Sequence, residues 1–142
     1  MAEGIFRAMT RGREDRFVAA SAGISAMDGF SASEETINVM REHGMDVTLH
    51  ESRRLTPQLV QAATRVYALE RMHRDWIVRL VPGAQQKTDL LGAYSSRDDV
   101  RQQLDIPDPI RMSPDFYRNV YSVIRDCVEN VVKDLEKMEE KR

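Results

Sequence analysis

Apolar residues recur every three to four positions in five stretches of the chain, and this spacing predicts five helices that each bury one face. The first runs from Met1 to Arg11 and stops at Gly12. In the second, Ser31 and Glu34 have the spacing of a capping box, and Gly44 supplies the end. The pattern therefore predicts that the chain begins on a helix.

The other three predicted helices have equally clear starts or ends. Thr56 and Pro57 open a short one, because threonine caps a helix and proline fits its first turn. A second ends at Pro82-Gly83 and has the apolar face Met72, Trp76, Ile77 and Leu80. The last and longest starts at Ser113-Pro114, with the stripe Phe116, Val120, Ile124, Cys127, Val131 and Leu135.

Short apolar runs between these helices predict three strands, Arg16–Ala20, Val66–Leu69 and Thr88–Leu91. Strands separated by helices need crossover connections, which predict a parallel sheet with helices on both faces. The predicted class is α/β, a three-layer sandwich. Such folds usually begin with a strand, and their ligand site lies where that strand gives way to the first helix.

Composition is that of an ordinary single domain spanning residues 1–142. A net charge of −2 argues against a nucleic-acid binder, and no apolar stretch approaches the length of a membrane span. The single cysteine, Cys127, makes no internal disulfide, so we expect a cytoplasmic protein. The charged residues 136–142 are expected to form a frayed tail.

Histidines and arginines give no specific motif of their own. His43, His50 and His73 are too far apart for a helix-borne metal pair, so no metal site is predicted. Four arginines could line one basic rim suited to an anionic substrate, although scattered surface positions are the commoner arrangement; they are Arg53, Arg54, Arg71 and Arg74.

Several segments, taken in order, resemble the low-molecular-weight protein-tyrosine phosphatases, including the bacterial branch that acts on phosphotyrosine or phosphoarginine. Residues 1–6 resemble the helix that follows this family's phosphate-binding loop, and residues 21–24 the end of its second strand. Residues 42–45, 50–56 and 68–75 continue the likeness, and Asp105-Ile106-Pro107-Asp108-Pro109 resembles the loop with the general acid.

The resemblance implies a hydrolase without cofactors, acting on a phosphorylated protein or a small aryl phosphate ester. In this family a CX5R loop holds the phosphate, its cysteine becomes a phosphocysteine, and an aspartic acid protonates the leaving oxygen. By its place directly before proline, Asp108 is the implied acid, with Asp105 as the alternative. The family often has an aromatic residue and glycines after the acid, where this chain has Ile110-Arg111-Met112.

No CX5R pattern occurs in these 142 residues, because Cys127 is followed six positions later by Lys133. The family's loop and first interior strand would come immediately before Met1. We expect that the start is misplaced and that the full product carries the loop. The alternative is a non-catalytic remnant or binding module. A thiol-dependent arsenate reductase, which shares the fold, would need further cysteines.

Overall fold

The computed structural model describes residues 1–142 and contains six α-helices and one parallel sheet of two strands. It also contains two short 3₁₀ segments, at Pro82–Lys87 and Leu91–Tyr94. In chain order the elements are α1 (Ala2–Met9), α2 (Glu34–Glu42), α3 (Pro57–Ala62), β1 (Val66–Ala68), α4 (Arg71–Leu80), β2 (Thr88–Leu90), α5 (Asp98–Gln103) and α6 (Pro114–Glu140). The predicted α/β class is confirmed.

The two strands lie between two apolar cores. Val66 pairs with Thr88 and Ala68 with Leu90, in parallel, with α4 in the crossover. Successive side chains of a strand point to opposite faces, so Tyr67 packs into the core around α6 while Ala68 belongs to the core beside α4. Helices thus cover both faces of the sheet.

The long helix α6 organises the larger core. Its predicted stripe is confirmed at Val120, Ile124, Cys127 and Val131, which are all buried. Helices α1 and α2 pack against it, α1 through Ile5 and α2 through residues such as Met40. This packing fixes where α1 begins relative to the rest of the molecule.

Side-chain caps start three of the helices, and one of them differs from the prediction. Thr56 caps α3 as predicted, and Ser113, at the predicted start of α6, caps that helix; each accepts a hydrogen bond from a backbone N–H three residues on. The cap of α2 is Ser33 rather than Ser31, since its hydroxyl accepts from the N–H of Thr36. Ser31 instead forms an isolated bridge with Glu51.

The predicted strand Arg16–Ala20 is wrong. Arg16 ends a turn that begins at Arg13, and residues 17–20 run on with no strand beside them. The Phe17 ring meets the edge of Phe6 on α1, whereas Val18 is 87% exposed. An apolar run forms a strand only where a neighbouring strand pairs with its backbone N–H and C=O groups. No such strand lies beside residues 17–20, and the packing of Phe17 determines the path of the backbone here.

Residues 136–140, expected to fray, continue helix α6 to Glu140. Arg13 pairs with Glu136 and Arg16 with Glu139, so the turn after α1 is joined to the last turns of α6. No helix, α6 included, is both long and apolar enough to cross a membrane.

Candidate active site

A cleft of about 250 Å³ opens where the start of α1, the end of β1 and the loop before α6 meet. Met1 and Ala2 line it from α1, and residues 106–110 line it from the loop. Its base is apolar and buried, formed by Ile106, Tyr117, Val120 and Ile124. In α/β folds ligands bind at this end of the sheet, outside the carboxyl ends of the strands.

The start of α1 presents backbone N–H groups without helical partners. Met1 is the N-cap and makes no side-chain capping bond, and the first intrahelical bond runs from the N–H of Ile5 to the Met1 carbonyl. The N–H groups before Ile5 therefore stay free of carbonyl partners, and the helix dipole adds partial positive charge. Both features favour an anion at this end of the cleft.

Asp108 lies on the loop that closes the opposite part of the cleft. Its side chain is exposed, and Oδ1 accepts a hydrogen bond of 3.0 Å from the N–H of Ile110. The turn continues with a bond of 2.9 Å from the N–H of Met112 to the Pro109 carbonyl. The other carboxylate oxygen, Oδ2, makes no hydrogen bond and is left for a ligand.

Asp105 is held quite differently from Asp108. It lies outside the cleft lining and accepts hydrogen bonds from the backbone N–H of Arg71, at 2.8 Å, and from the Arg71 guanidinium. These contacts lower the pKa of Asp105 below its ordinary value, the backbone bond first and the guanidinium next. Asp105 is therefore bound to Arg71 outside the cleft, whereas Asp108 lines the cleft.

The loop of residues 104–112, which carries Asp108 and is called the acid loop below, is fixed at its base by close backbone contacts. The N–H of Ile106 donates to the carbonyl of Leu69 at 2.9 Å, which ties the loop to the end of β1. Leu104, two residues before Ile106, has a φ of 66°. If Gly92 were replaced by a residue with a Cβ, that atom would lie 2.3 Å from the Leu104 carbonyl oxygen. Position 92 therefore has room only for glycine.

Comparison with known proteins identifies the fold and the family. The family model described as low molecular weight phosphotyrosine protein phosphatase matches residues 1–141. The chain belongs to this family. The resemblance predicted from its segments is confirmed, and relatives in the family are protein-tyrosine phosphatases, which are phosphoric monoester hydrolases.

Individual relatives include proteins named for two different substrates. The probable low molecular weight protein-tyrosine-phosphatase AmsI of Erwinia amylovora is 33% identical over 116 residues, 82% of this chain and 76% of AmsI. A protein-arginine-phosphatase of Geobacillus stearothermophilus is 30% identical over 116 residues, 82% of this chain and 75% of that protein. The solved structure of YwlE arginine phosphatase from the same organism matches with a TM-score of 0.87 at 25% identity, covering 99% of this chain and 86% of that one.

Two residues of this cleft were not singled out from the sequence. Glu70 and His73 both line it, with 3.9 Å between the Glu70 Oε1 and His73 Nε2 atoms. Their position directly after the predicted strand Val66–Leu69 could have indicated them, because ligands bind at that edge of a parallel sheet.

The four arginines that could have formed a basic rim are not assembled around this cleft, in keeping with the commoner scattered arrangement. None of them lines the cleft: Arg71 is bound to Asp105, and Arg53 lines a separate open groove between α1 and residues 45–53. Cys127 is not part of the cleft lining either, and its side chain is fully buried in α6. Burial raises the pKa of the Cys127 thiol to about 11, so it stays protonated and unreactive at neutral pH.

Proposed function

We propose that the complete protein removes phosphoryl groups from phosphorylated proteins, or from small aryl phosphate esters, with Asp108 as general acid and base. One observation carries the proposal: Asp108 and the uncapped start of α1 line the same cleft. The first supplies a proton and the second favours a bound anion. Relatives that are named for phosphotyrosine and for phosphoarginine leave both kinds of substrate within the proposal.

The proposed chemistry has two steps that share one carboxyl group. A cysteine thiolate attacks the phosphorus atom, the bond from phosphorus to the leaving oxygen or nitrogen breaks, and protonated Asp108 gives its proton to the leaving atom. The Asp108 carboxylate then takes a proton from water, which attacks the phosphocysteine and releases phosphate and the thiolate. Because Oδ2 of Asp108 makes no hydrogen bond, it is available to give the proton in the first step and to take a proton in the second.

The nucleophile of this mechanism is proposed to lie in a segment encoded before Met1. In the family the CX5R loop leads directly into the helix that corresponds to α1, and Cys127 is buried elsewhere. One strand edge and one segment without backbone hydrogen bonds support an additional strand. β1 is hydrogen-bonded to β2 alone, and residues 18–22 make no backbone–backbone hydrogen bonds. Unpaired edges of this kind are costly and favour pairing with a further strand.

The second candidate is a non-catalytic protein that retains the phosphatase fold as a remnant or binding module. It is favoured by the chemistry of the only thiol in residues 1–142, since Cys127 is buried and its pKa is raised. In either case we propose a cytoplasmic location, because the single cysteine suits a reducing compartment.

The upstream DNA distinguishes the two candidates. An in-frame, strand-like apolar run followed by Cys, five residues and Arg-Ser supports the enzyme, and the extended protein should then hydrolyse an aryl phosphate in a vanadate-sensitive reaction. An in-frame stop codon close to Met1 would overturn the enzyme proposal. The 142-residue protein alone should show no such hydrolysis, and vanadate-sensitive turnover by it would contradict the assignment of the nucleophile.

A further inference from the structure

The exposed side of α4 carries an apolar stripe that no other part of the chain covers. Met72 is 59% exposed, Trp76 is 46% exposed and Leu80 is 36% exposed. Because these residues are four positions apart, they form one line about 12 Å long on the helix surface. Ile77, on another side of the helix, is buried in the small core beside the sheet. Helix α4 therefore has apolar side chains on two sides, and only one of these sides is covered.

Two opposite charges lie along one flank of this stripe. Asp75 is three positions after Met72 and Arg79 is three positions after Trp76, so both fall about 60° to the same side of the apolar line. Both residues are exposed, and neither forms an ion pair or a side-chain hydrogen bond within the chain. One flank of the stripe thus presents one free carboxylate and one free guanidinium.

These two charges match those of a second copy of the same helix. When two α4 helices pack antiparallel with Trp76 at the centre, the twofold axis reverses the helix direction but keeps each flank on its own side. The positions of Asp75 in one copy and the partner's Arg79 then differ by about 3 Å along the helix axis, within reach of the long arginine side chain. The same pair forms again across the axis. A parallel arrangement would put the two charged flanks on opposite sides, where neither charge finds a partner.

The apolar side chains are self-complementary in the same antiparallel arrangement. Trp76 meets the partner's Trp76 at the twofold axis, and Met72 of each copy faces the partner's Leu80. Tryptophan, methionine and arginine are the residue types enriched at protein interfaces, and all three occur here. One arrangement therefore covers the exposed stripe and pairs both free charges.

We propose that two copies of this chain associate through this surface, here called the α4 surface (Met72, Asp75, Trp76, Arg79 and Leu80), as an antiparallel, twofold-symmetric pair. The surface carries one charge of each sign, so a strongly acidic or strongly basic partner would repel one of them, whereas a second copy pairs both. The association is weak, because a helix of ten residues offers less than the area of about 800 Å² per partner in a stable interface. It does not depend on the proposed hydrolysis, since none of the five residues lines the cleft.

Sedimentation equilibrium of the 142-residue protein at low salt tests the association directly. We expect a reversible monomer–dimer equilibrium with a dissociation constant of about 100 μM, in keeping with the small area. Trp76 is the only tryptophan in the chain, so its emission should shift to shorter wavelength as the dimer forms. A protein that stays monomeric up to about ten times this concentration overturns the proposal.

Charge exchange tests the antiparallel pairing. Asp75→Arg and Arg79→Glu should each raise the dissociation constant about tenfold, because two attractive contacts in each dimer become repulsive. The double variant, with Asp75→Arg and Arg79→Glu together, should restore the wild-type value. An equimolar mixture of the two single variants should form mixed dimers, since opposite charges again face each other. Unchanged association of both single variants, or no restoration in the double variant, overturns the proposal.

Arg74→Glu is the matched control on the same helix. Arg74 is exposed and makes no ion pair, but at about 100° per residue it lies on the opposite side of α4 from Trp76. This variant should dimerise like the wild type, and an effect equal to that of Arg79→Glu would overturn the proposal. Circular dichroism checks that every variant folds. A shift of Trp76 emission that appears only with phospholipid vesicles or with another protein, while the chain itself stays monomeric, would overturn it too.

Discussion

Asp105 joins the acid loop to the first turn of α4 by accepting from both the backbone N–H and the guanidinium of Arg71. The first contact is 2.8 Å long and the second 3.2 Å. A carboxylate at this position satisfies an N–H that the helix itself leaves free, and it complements the positive end of the helix. The loop that carries Asp108 thus has its base fixed by a residue that does not enter the cleft.

Replacing Asp105 by asparagine should lower stability in a pH-dependent way. We expect a loss of about 1 kcal/mol at pH 7, kept small because the exposed pair is screened by solvent. The pKa of Asp105 is lowered in the folded state, so its stabilisation is present above the unfolded pKa of about 3.9 and is lost as pH falls through the folded value. Urea denaturation from pH 7 to pH 2.5 measures this, and a constant difference between the two proteins would contradict it.

Gly92→Ala should disturb the base of the same loop through the backbone of Leu104, the residue before Asp105. The new Cβ would lie 2.3 Å from the Leu104 carbonyl oxygen, and that backbone has to move. We expect a loss of about 1–3 kcal/mol, as for other overpacked sites. Gly83→Ala is the matched control, since a Cβ there meets nothing within 4 Å and φ is not positive. Thermal unfolding compares them, and equal effects of the two substitutions would refute the close contact.

The local signals in the sequence predicted helices well because they act within one turn. Thr56 caps the helix that it was predicted to cap, and the long helix starts at Ser113-Pro114 as predicted. Ser31 and Ser33 are two positions apart, so the sequence alone does not show which of them caps α2. Ser31 instead forms a backbone bridge with Glu51, which only the structure shows. Strand formation depends on a neighbour that the local sequence does not specify, which is why the apolar run Arg16–Ala20 was misassigned.

The site could be predicted only in part for a similar reason. Asp108 was predicted through its resemblance to the family motif, whereas Glu70 and His73 line the cleft because β1 ends there, a consequence of tertiary packing. The face of α4 shows the same limit. Helical spacing groups Trp76 with Ile77, but only the position of the small core beside the sheet decides that Ile77 is buried and Trp76 is not.

Cys127 should be inert toward thiol reagents in the folded protein. Its pKa is raised by burial from about 9 to about 11, which lowers the thiolate fraction near neutral pH about 100-fold, and the side chain is fully buried. Reaction with an aromatic disulfide reagent at pH 7.5 should therefore be at least 100-fold slower than in 8 M urea. Rapid reaction of the native protein would show that Cys127 is accessible and reopen it as a nucleophile.

Asp108→Asn in the extended protein should slow turnover far more than it weakens anion binding. The asparagine keeps the size of the side chain and its bond from the Ile110 N–H, but it cannot donate a proton to the leaving group, so we expect kcat for an aryl phosphate to fall about 10²- to 10⁴-fold. The inhibition constant of inorganic phosphate should change little, because α1 and not Asp108 favours the anion. Asp99→Asn is the control, since Asp99 is exposed, pairs with Arg97 and lies outside the cleft. If kcat were the same for Asp108→Asn and Asp99→Asn, Asp108 would have no part in proton transfer.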